Sequence, residues 1–257
     1  MADLSGKTVV ITGASRGIGA ATARHFSDLG AAVVLAARSG GDISARAAEI
    51  IAKGGQAFAQ TCDVADPASV EQMITRTIDE TGRLDVLINN AGLIDPIARI
   101  EDSDPAAWSQ VVDVNLKGVY YAYRFALPHM LKQGSGTIIN ISSGAATGAL
   151  EGWSHYCATK AAVLSLTKCG HKEFADKGIR ILGLSPGTVA TEMQVQIKAS
   201  GINPVSQLDP SAHIPADWVA RGLAFLTTPD ADAWLGTDFS MKTNEGRAAL
   251  GLPLIDA

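Results

Sequence analysis

Short apolar runs alternate along the chain with longer stretches in which apolar residues recur every three to four positions. The runs are 7–12 (KTVVIT), 32–37 (AVVLAA), 56–62 (QAFAQTC), 84–89 (LDVLIN), 136–142 (GTIINIS) and 179–184 (IRILGL). Near-continuous Val, Ile and Leu suit strands covered on both faces, as in a parallel sheet. Between them, 17–29, 43–53, 67–81, 105–132 and 154–177 each read as one helix. Asp66-Pro67 and Asp104-Pro105 place a capping carboxylate before a proline at the first helical position. Alternating strands and helices with short connections predict right-handed crossovers and an α/β fold. The expected architecture is a single doubly wound domain over 1–257, with a mainly parallel sheet flanked by helices on both faces. Residues 191–213 have no clear place in the sheet. With Gly201, Pro204 and Pro210, they are expected to form a mobile insertion that acts as a substrate lid.

Composition narrows the classes. The chain has 257 residues, 47% hydrophobic and 18% charged, enough apolar material for a large core and little sign of disorder. A net charge of −5 without a basic stripe argues against nucleic-acid binding. No apolar run reaches the ~18 residues of a membrane span, and the first residues lack the layout of a secretory signal. A cytoplasmic protein is expected. Cys62, Cys157 and Cys169 are scattered, and His25, His129, His171 and His213 are dispersed, so no metal site is expected.

Twenty-six glycines exceed the ~7% of average usage, and three of them form the first functional signal. Thr12-Gly-Ala-Ser-Arg-Gly-Ile-Gly19 follows the first strand and opens the first helix, the setting in which a glycine-rich string binds a dinucleotide, as in a Rossmann-type fold. Gly13 allows the tight turn, Gly17 the approach of a pyrophosphate, and Gly19 close packing of helix on sheet. The end of the second strand then discriminates between cofactors. An NAD site places a carboxylate there for the ribose 2′-hydroxyl, whereas this chain has Leu35-Ala-Ala-Arg38-Ser39. Arg38, with Arg16 in the glycine loop, suits a 2′-phosphate. NADP(H) is expected in preference to NAD(H).

Tyr156-Cys-Ala-Thr-Lys160 puts a phenol and an ammonium one helical turn apart. A neighbouring cation favours phenolate, so the tyrosine's pKa is expected below its reference of ~10, within reach of proton transfer to a carbonyl oxygen. Ser143 lies thirteen residues upstream at the end of the fifth strand, where ligands of open α/β sheets collect.

With these motifs assembled, the chain resembles the short-chain dehydrogenase/reductase family in its short, single-domain branch. The resemblance rests on Thr12-GASRGIG, Asp63-Val64, Asn89-Asn-Ala-Gly92, Asn115 within Val114-Asn-Leu-Lys-Gly118, Ser143, Tyr156-xxx-Lys160 and Pro186-Gly187, in family order over roughly 5–195. It implies that Tyr156 is the general acid in reduction and base in oxidation. Lys160 would bind the nicotinamide ribose and depress the Tyr156 pKa, Ser143 would polarise the substrate carbonyl, and Asn115 would hold a water that relays protons from Lys160. Gly13, Ser15, Arg16, Ile18 and Gly19 would line the phosphates and adenosine end. Asp63 and Val64 would sit at the adenine, and Asn90, Ala91 and Gly92 near the riboses. Pro186, Gly187, Val189 and Thr191 would hold the carboxamide. Ser142 is an alternative to Ser143, and Asn89-Asn90 has a structural alternative, tying neighbouring strands.

The implied activity is hydride transfer between NADP(H) and a ketone or secondary alcohol, by a homo-oligomer paired through 105–132 and 154–177. Tyr120, Tyr121, Tyr123, Phe125 and Leu127 on the first helix, and Ala161, Val163, Leu164, Leu166 and Cys169 on the second, exceed one core-facing stripe. The alternatives are an NAD-dependent secondary alcohol dehydrogenase, a non-catalytic nucleotide-binding regulator of the same fold, and epimerase or dehydratase chemistry. Three features depart from the family pattern. Leu182-Gly183 stands where an asparagine-alanine pair is common, and Gly236–Asn244 (GTDFSMKTN) replaces an ending in aspartate and two glycines. Thr191–Ile197 is similar to sepiapterin- and benzil-reductase-like members. Leu150, Glu151, Trp153 and Met193 are expected to shape specificity. Cys157 is expected to pack as a small hydrophobe, and His155 to be a partly exposed structural residue.

Overall fold

The computed structural model describes residues 2–255. Strands β1 (Thr8–Thr12), β2 (Ala32–Ala37), β3 (Gln56–Thr61), β4 (Val86–Asn89), β5 (Gly136–Ile141), β6 (Ile179–Ser185) and β7 (Asp238–Ser240) form one parallel sheet in the order β3-β2-β1-β4-β5-β6-β7. Successive side chains leave a strand on opposite faces, and both faces are covered. Val9, Ile11, Val33, Leu35, Ile139 and Leu182 pack toward α1 (Gly17–Asp28), α2 (Gly40–Ala52) and α8 (Ala216–Leu226). Val10, Val34, Ile138 and Ile181 pack toward α3 (Pro67–Thr81), α5 (Gly118–Gln133) and α6 (Ser154–Phe174). This two-sided burial is why the strands read as unbroken apolar runs, and the doubly wound Rossmann-type expectation holds.

The predicted caps also hold: Asp66 accepts from Ala68 N, and Asp104 from Ala107 N at 2.7 Å, each before a proline that opens its helix. At the opposite end of the sheet, Asp85 accepts from Thr8 N at 2.9 Å and from Arg83 and Lys7, joining the starts of β1 and β4.

The stretch 105–132 departs from the expectation of one helix. It is α4 (Pro105–Val112), a π-turn over Asp113–Lys117, and α5. Gly118, at the exit from the turn, lies so close to Val64 that a Cβ there would sit 3.0 Å from Val64 Cβ. The helix expected over 154–177 ends at Phe174 and passes into a 3-10 turn. Residues 191–213 carry α7 (Glu192–Ser200) and two 3-10 turns, bracketed by an isolated parallel bridge between Val189 and Ile214. Strand β7, α8 and α9 (Asn244–Ala249) had no counterpart in the sequence reading. Among the described residues, no helix is long and apolar enough to cross a membrane, and no group of His, Cys, Asp and Glu is placed to hold a metal.

Candidate active site

The loops that leave the carboxyl ends of β1, β4 and β6 converge. Gly13 has φ +66°, and a Cβ on it would lie 2.9 Å from Ala91 Cα. No larger residue fits between the two loops. Asn90 stitches them together: its Nδ2 donates to Thr12 O at 2.8 Å and Gly13 O at 3.1 Å. Asn90 N and Ala91 N both donate to Thr12 Oγ1. Gly92 lies beside Asn115, 3.5 Å from its Oδ1 to the position of a Cβ. From β6, Pro186 and Gly187 lead to Val189, whose carbonyl accepts from Thr191 Oγ1 at 3.2 Å. Thr191 Cγ2 closes over Gly17, 3.3 Å from where its Cβ would be.

The amino end of α1 points into this convergence. Arg16 at its N-cap makes no side-chain capping bond, and the first turn carries no acid, an arrangement that leaves helix N–H groups for an anion. Ser15 and Ile18 are half-buried there, and Gly19 is buried under the loop. Arg16 and Arg38 are both exposed and, among the described residues, in no ion pair. Asp63, after β3, accepts from Ala65 N at 3.0 Å, with Val64 packed against Gly118. A glycine floor, an uncapped helix terminus and two exposed guanidiniums without an ion pair are groups whose chemistry fits a dinucleotide's phosphates.

Asn89 follows the structural alternative. It donates to Asn140 Oδ1 at 2.9 Å, and Asn140 in turn donates to Tyr123 Oη at 2.7 Å and Thr167 Oγ1 at 2.8 Å.

Beyond the glycine loop, α6 presents Tyr156 and Lys160 on its inner face, 8% and 6% exposed. Ser143, at the end of β5, accepts from Ala145 N and opposes the effect of burial on the phenol. Burial nevertheless dominates and pushes the Tyr156 pKa up to about 12. The expected depression by Lys160 is therefore absent in the free protein. The ammonium lies 5.5 Å from the centroid of the Tyr156 ring, and its hydrogen bond goes to Ile141 O at 2.6 Å instead of to the phenol. Burial lowers the Lys160 pKa to about 8, with Asp238 acting in the opposite direction. Asn115, in the π-turn, is buried and commits its side chain to Leu93. Its Oδ1 accepts from Leu93 N at 2.8 Å, and its Nδ2 donates to Leu93 O at 2.9 Å and reaches Thr159 Oγ1 at 3.4 Å.

Around the phenol, Ile94, Ala145, Trp153 and Ile197 form a separate apolar cluster, flanked by Ile97, Leu150, Cys157, Met193 and Val205. Trp153 meets Tyr156 edge-on at 5.5 Å. Trp153, Leu150 and Met193 stand where the sequence placed them, and Cys157 packs as expected. Ile94 and Ile97 in a loop, Ile197 on α7 and Val205 in a 3-10 turn were missed because they come together only in the fold. Glu151 pairs at the rim with Arg99 at 2.6 Å. His155 differs from expectation: it is fully buried, its Nε2 2.6 Å from Ile94 O. Ser142 faces away from Ser143 and donates to Asp238 Oδ2 at 2.5 Å.

Comparison with known proteins agrees with this geometry. The family model described as short chain dehydrogenase matches residues 7–201. A 3-oxoacyl-(acyl-carrier-protein) reductase of Synechocystis sp. is 39% identical over 239 residues, covering 91% of this chain and 94% of that protein. The 2,5-dichloro-2,5-cyclohexadiene-1,4-diol dehydrogenase LinX of Sphingobium indicum is 34% identical over 91% of this chain and 94% of its own length. Cis-4-hydroxycyclohexanecarboxylate dehydrogenase of Sinomonas cyclohexanicum is 36% identical over 90% and 92%. The crystal structure of gox2181 shares the fold with a TM-score of 0.86 at 23% identity, covering 92% of this chain and 94% of that one. The chain belongs to the short-chain dehydrogenase/reductase family and is an NAD(P)-dependent oxidoreductase.

Proposed function

We propose that this protein is an NADP(H)-dependent carbonyl reductase, running in reverse as a secondary alcohol dehydrogenase, with Tyr156 exchanging the proton. The observation that carries the reading is a buried phenol packed in an apolar cluster, next to Ser143 and with the Lys160 ammonium 5.5 Å from its ring centroid. Reduced nicotinamide, when bound, would supply the hydride for the carbonyl carbon. Ser143 Oγ donates to the carbonyl oxygen and orients it. Tyr156 Oη gives that oxygen its proton, and Lys160 stabilises the phenolate left behind. Asn115 steadies the Leu93 loop, next to Ile94 in the pocket wall. Gly13, Ser15, Arg16, Ile18 and Gly19 hold the phosphates, Asp63 and Val64 the adenine, Asn90, Ala91 and Gly92 the riboses, and Pro186, Gly187, Val189 and Thr191 the carboxamide. Unpaired Arg38 and Arg16 support a 2′-phosphate, hence NADP(H).

The apolar pocket favours an uncharged ketone. Two relatives are named as dehydrogenases of ring alcohols, which supports six-membered rings as the first substrates to try. Those names also favour alcohol oxidation, and the second reading is an NAD-dependent secondary alcohol dehydrogenase. Residues 191–213 act as the lid in this proposal, since Met193, Ile197 and Val205 already touch the pocket. Tyr120, exposed beside half-buried Tyr121 and Phe125 on α5, supports pairing of two copies through that surface.

The deciding experiment follows oxidation of NADPH and of NADH with a panel of cyclic ketones and vicinal diketones. Turnover with NADPH is expected. Cofactor binding without turnover on any member would favour the regulator, and equal kcat/KM for the two cofactors would favour the second reading.

A further inference from the structure

Two features set aside in the sequence as departures, Gly183 and the stretch around Asp238, turn out to be one device. Gly183 of β6 lies in register with Asn140 of β5 on one side and Asp238 of β7 on the other. A Cβ on Gly183 would collide with Asp238 Oδ1. The missing side chain is therefore the channel through which the carboxylate crosses an entire strand. It ends just past β5, where Ser142 Oγ donates to Asp238 Oδ2 at 2.5 Å. The second oxygen, Oδ1, is buried and has no hydrogen-bond partner. A carboxylate in that position is costly unless a positive charge stands near it.

The charge at hand is Lys160. Its Nζ donates to the carbonyl of Ile141, the residue before Ser142, so ammonium and carboxylate are anchored to consecutive residues of one strand end. We propose that Asp238, reaching across Gly183 to Ser142, is the buried counter-charge of the Lys160 ammonium and so positions the tyrosine–lysine pair. Asp238 is the charged group whose effect on Lys160 opposes that of burial. Lys160 and Lys168 of α6 both act on Asp238, but Lys168 is exposed and its charge is largely answered by water. Tyr156, one turn back on α6, is the titratable side chain beside which the Lys160 ammonium lies. Burial works against the ammonium, and Asp238 keeps it available at neutral pH.

The catalytic half of this inference rests on the proposed role of Lys160; the coupling of the two charges does not. The test is therefore made first on cofactor-free protein, by NMR titration of isotope-labelled lysine side chains, with the Lys160 resonance identified by its loss in Lys160→Met. Asp238→Asn keeps the shape and the Ser142 contact but removes the charge. It is expected to move the Lys160 titration down by about one pH unit, and with it the alkaline limb of kcat/KM for ketone reduction. A purely structural Asp238 would lower stability and leave both midpoints in place, and that result overturns the proposal. If Asp238→Asn does not fold, Ser142→Ala releases the carboxylate from its anchor. A smaller downward shift is then expected, and no shift overturns the proposal. Unchanged turnover in Lys160→Met would remove the functional reading while the coupling stands. Lost turnover in Lys160→Met with an unmoved titration in Asp238→Asn would remove the coupling alone.

Discussion

Asn115 holds Leu93 by both of its main-chain polar atoms, accepting from the N–H at 2.8 Å and donating to the carbonyl at 2.9 Å. One side chain thereby replaces the pairing that a strand neighbour would give, just where β4 has ended and the pocket loop begins. Asn115→Ala leaves both Leu93 groups without partners and is expected to cost about 1–3 kcal/mol, read from urea unfolding. Turnover should fall as well, because Ile94 follows directly in the pocket wall.

Tyr156 enters reduction as a phenol, since burial holds its pKa near 12. Tyr156→Phe should lower kcat by about 10²–10⁴ while the Kd for NADPH stays within about twofold of the parent. Lys160 has a pKa brought down to about 8, chiefly by burial. Its charge is present below that value and lost above it. Reduction should be flat below neutral pH and decline as pH rises through ~8, as a pH profile of kcat/KM will show.

Arg38 leaves the end of β2 exposed and unpaired, and Ala37 precedes it. Ala37→Asp with Arg38→Ile replaces a phosphate partner with a carboxylate that repels phosphate and accepts a ribose hydroxyl. A charged hydrogen bond is worth about 1.5–3 kcal/mol, so the preference for NADPH over NADH should drop roughly tenfold to a hundredfold. The ratio of kcat/KM values measures it.

Asp85 ties β1 to β4 far from the active site. Burial raises its pKa, but Arg83, the Thr8 N–H and Lys7 outweigh that and leave it below the usual carboxylate range. A folded pKa below the unfolded one means that the stabilisation is present above the unfolded pKa and disappears as pH falls through the folded one. Asp85→Asn should cost about 1–2 kcal/mol at neutral pH, given partly exposed partners. The gap between the two urea curves should narrow toward pH ~3.

Residues 191–213 meet the pocket through Met193, Ile197 and Val205, while Val195 points out at 61% exposure. Limited proteolysis should cut this segment in the free protein and slow several-fold with NADPH and a ketone present. Equal cutting rates would remove the lid.

The strands β1, β2, β4, β5 and β6 were legible because Val, Ile and Leu fill both faces of each. Strand β7 was not, since Phe239 sits alone between Asp238 and Ser240 and carries no period. The π-turn was invisible because apolar residues flank it on both sides and no residue type marks it. The glycine loop, Ser143, Tyr156 and Lys160 were singled out from their spacing, which reflects local loop and helix geometry, and Asn90 from the family resemblance. The burial of His155 against Ile94 and the reach of Asp238 to Ser142 join residues 61 and 96 positions apart. No local spacing encodes those. The direction of the Tyr156 shift was misjudged because charge was weighed and desolvation was not.

The π-turn at Asp113–Lys117 amounts to one residue more than a continuous helix would need. An α-helix advances about 100° per residue, so a surplus residue in regular geometry would rotate everything after it and swing Tyr123 and Ala126 off the sheet. The wider turn takes up that residue as a local bulge between α4 and α5. The helix thus carries a polar group sideways into the molecule without altering its own alignment. Its packing face and its asparagine can be altered almost independently of each other.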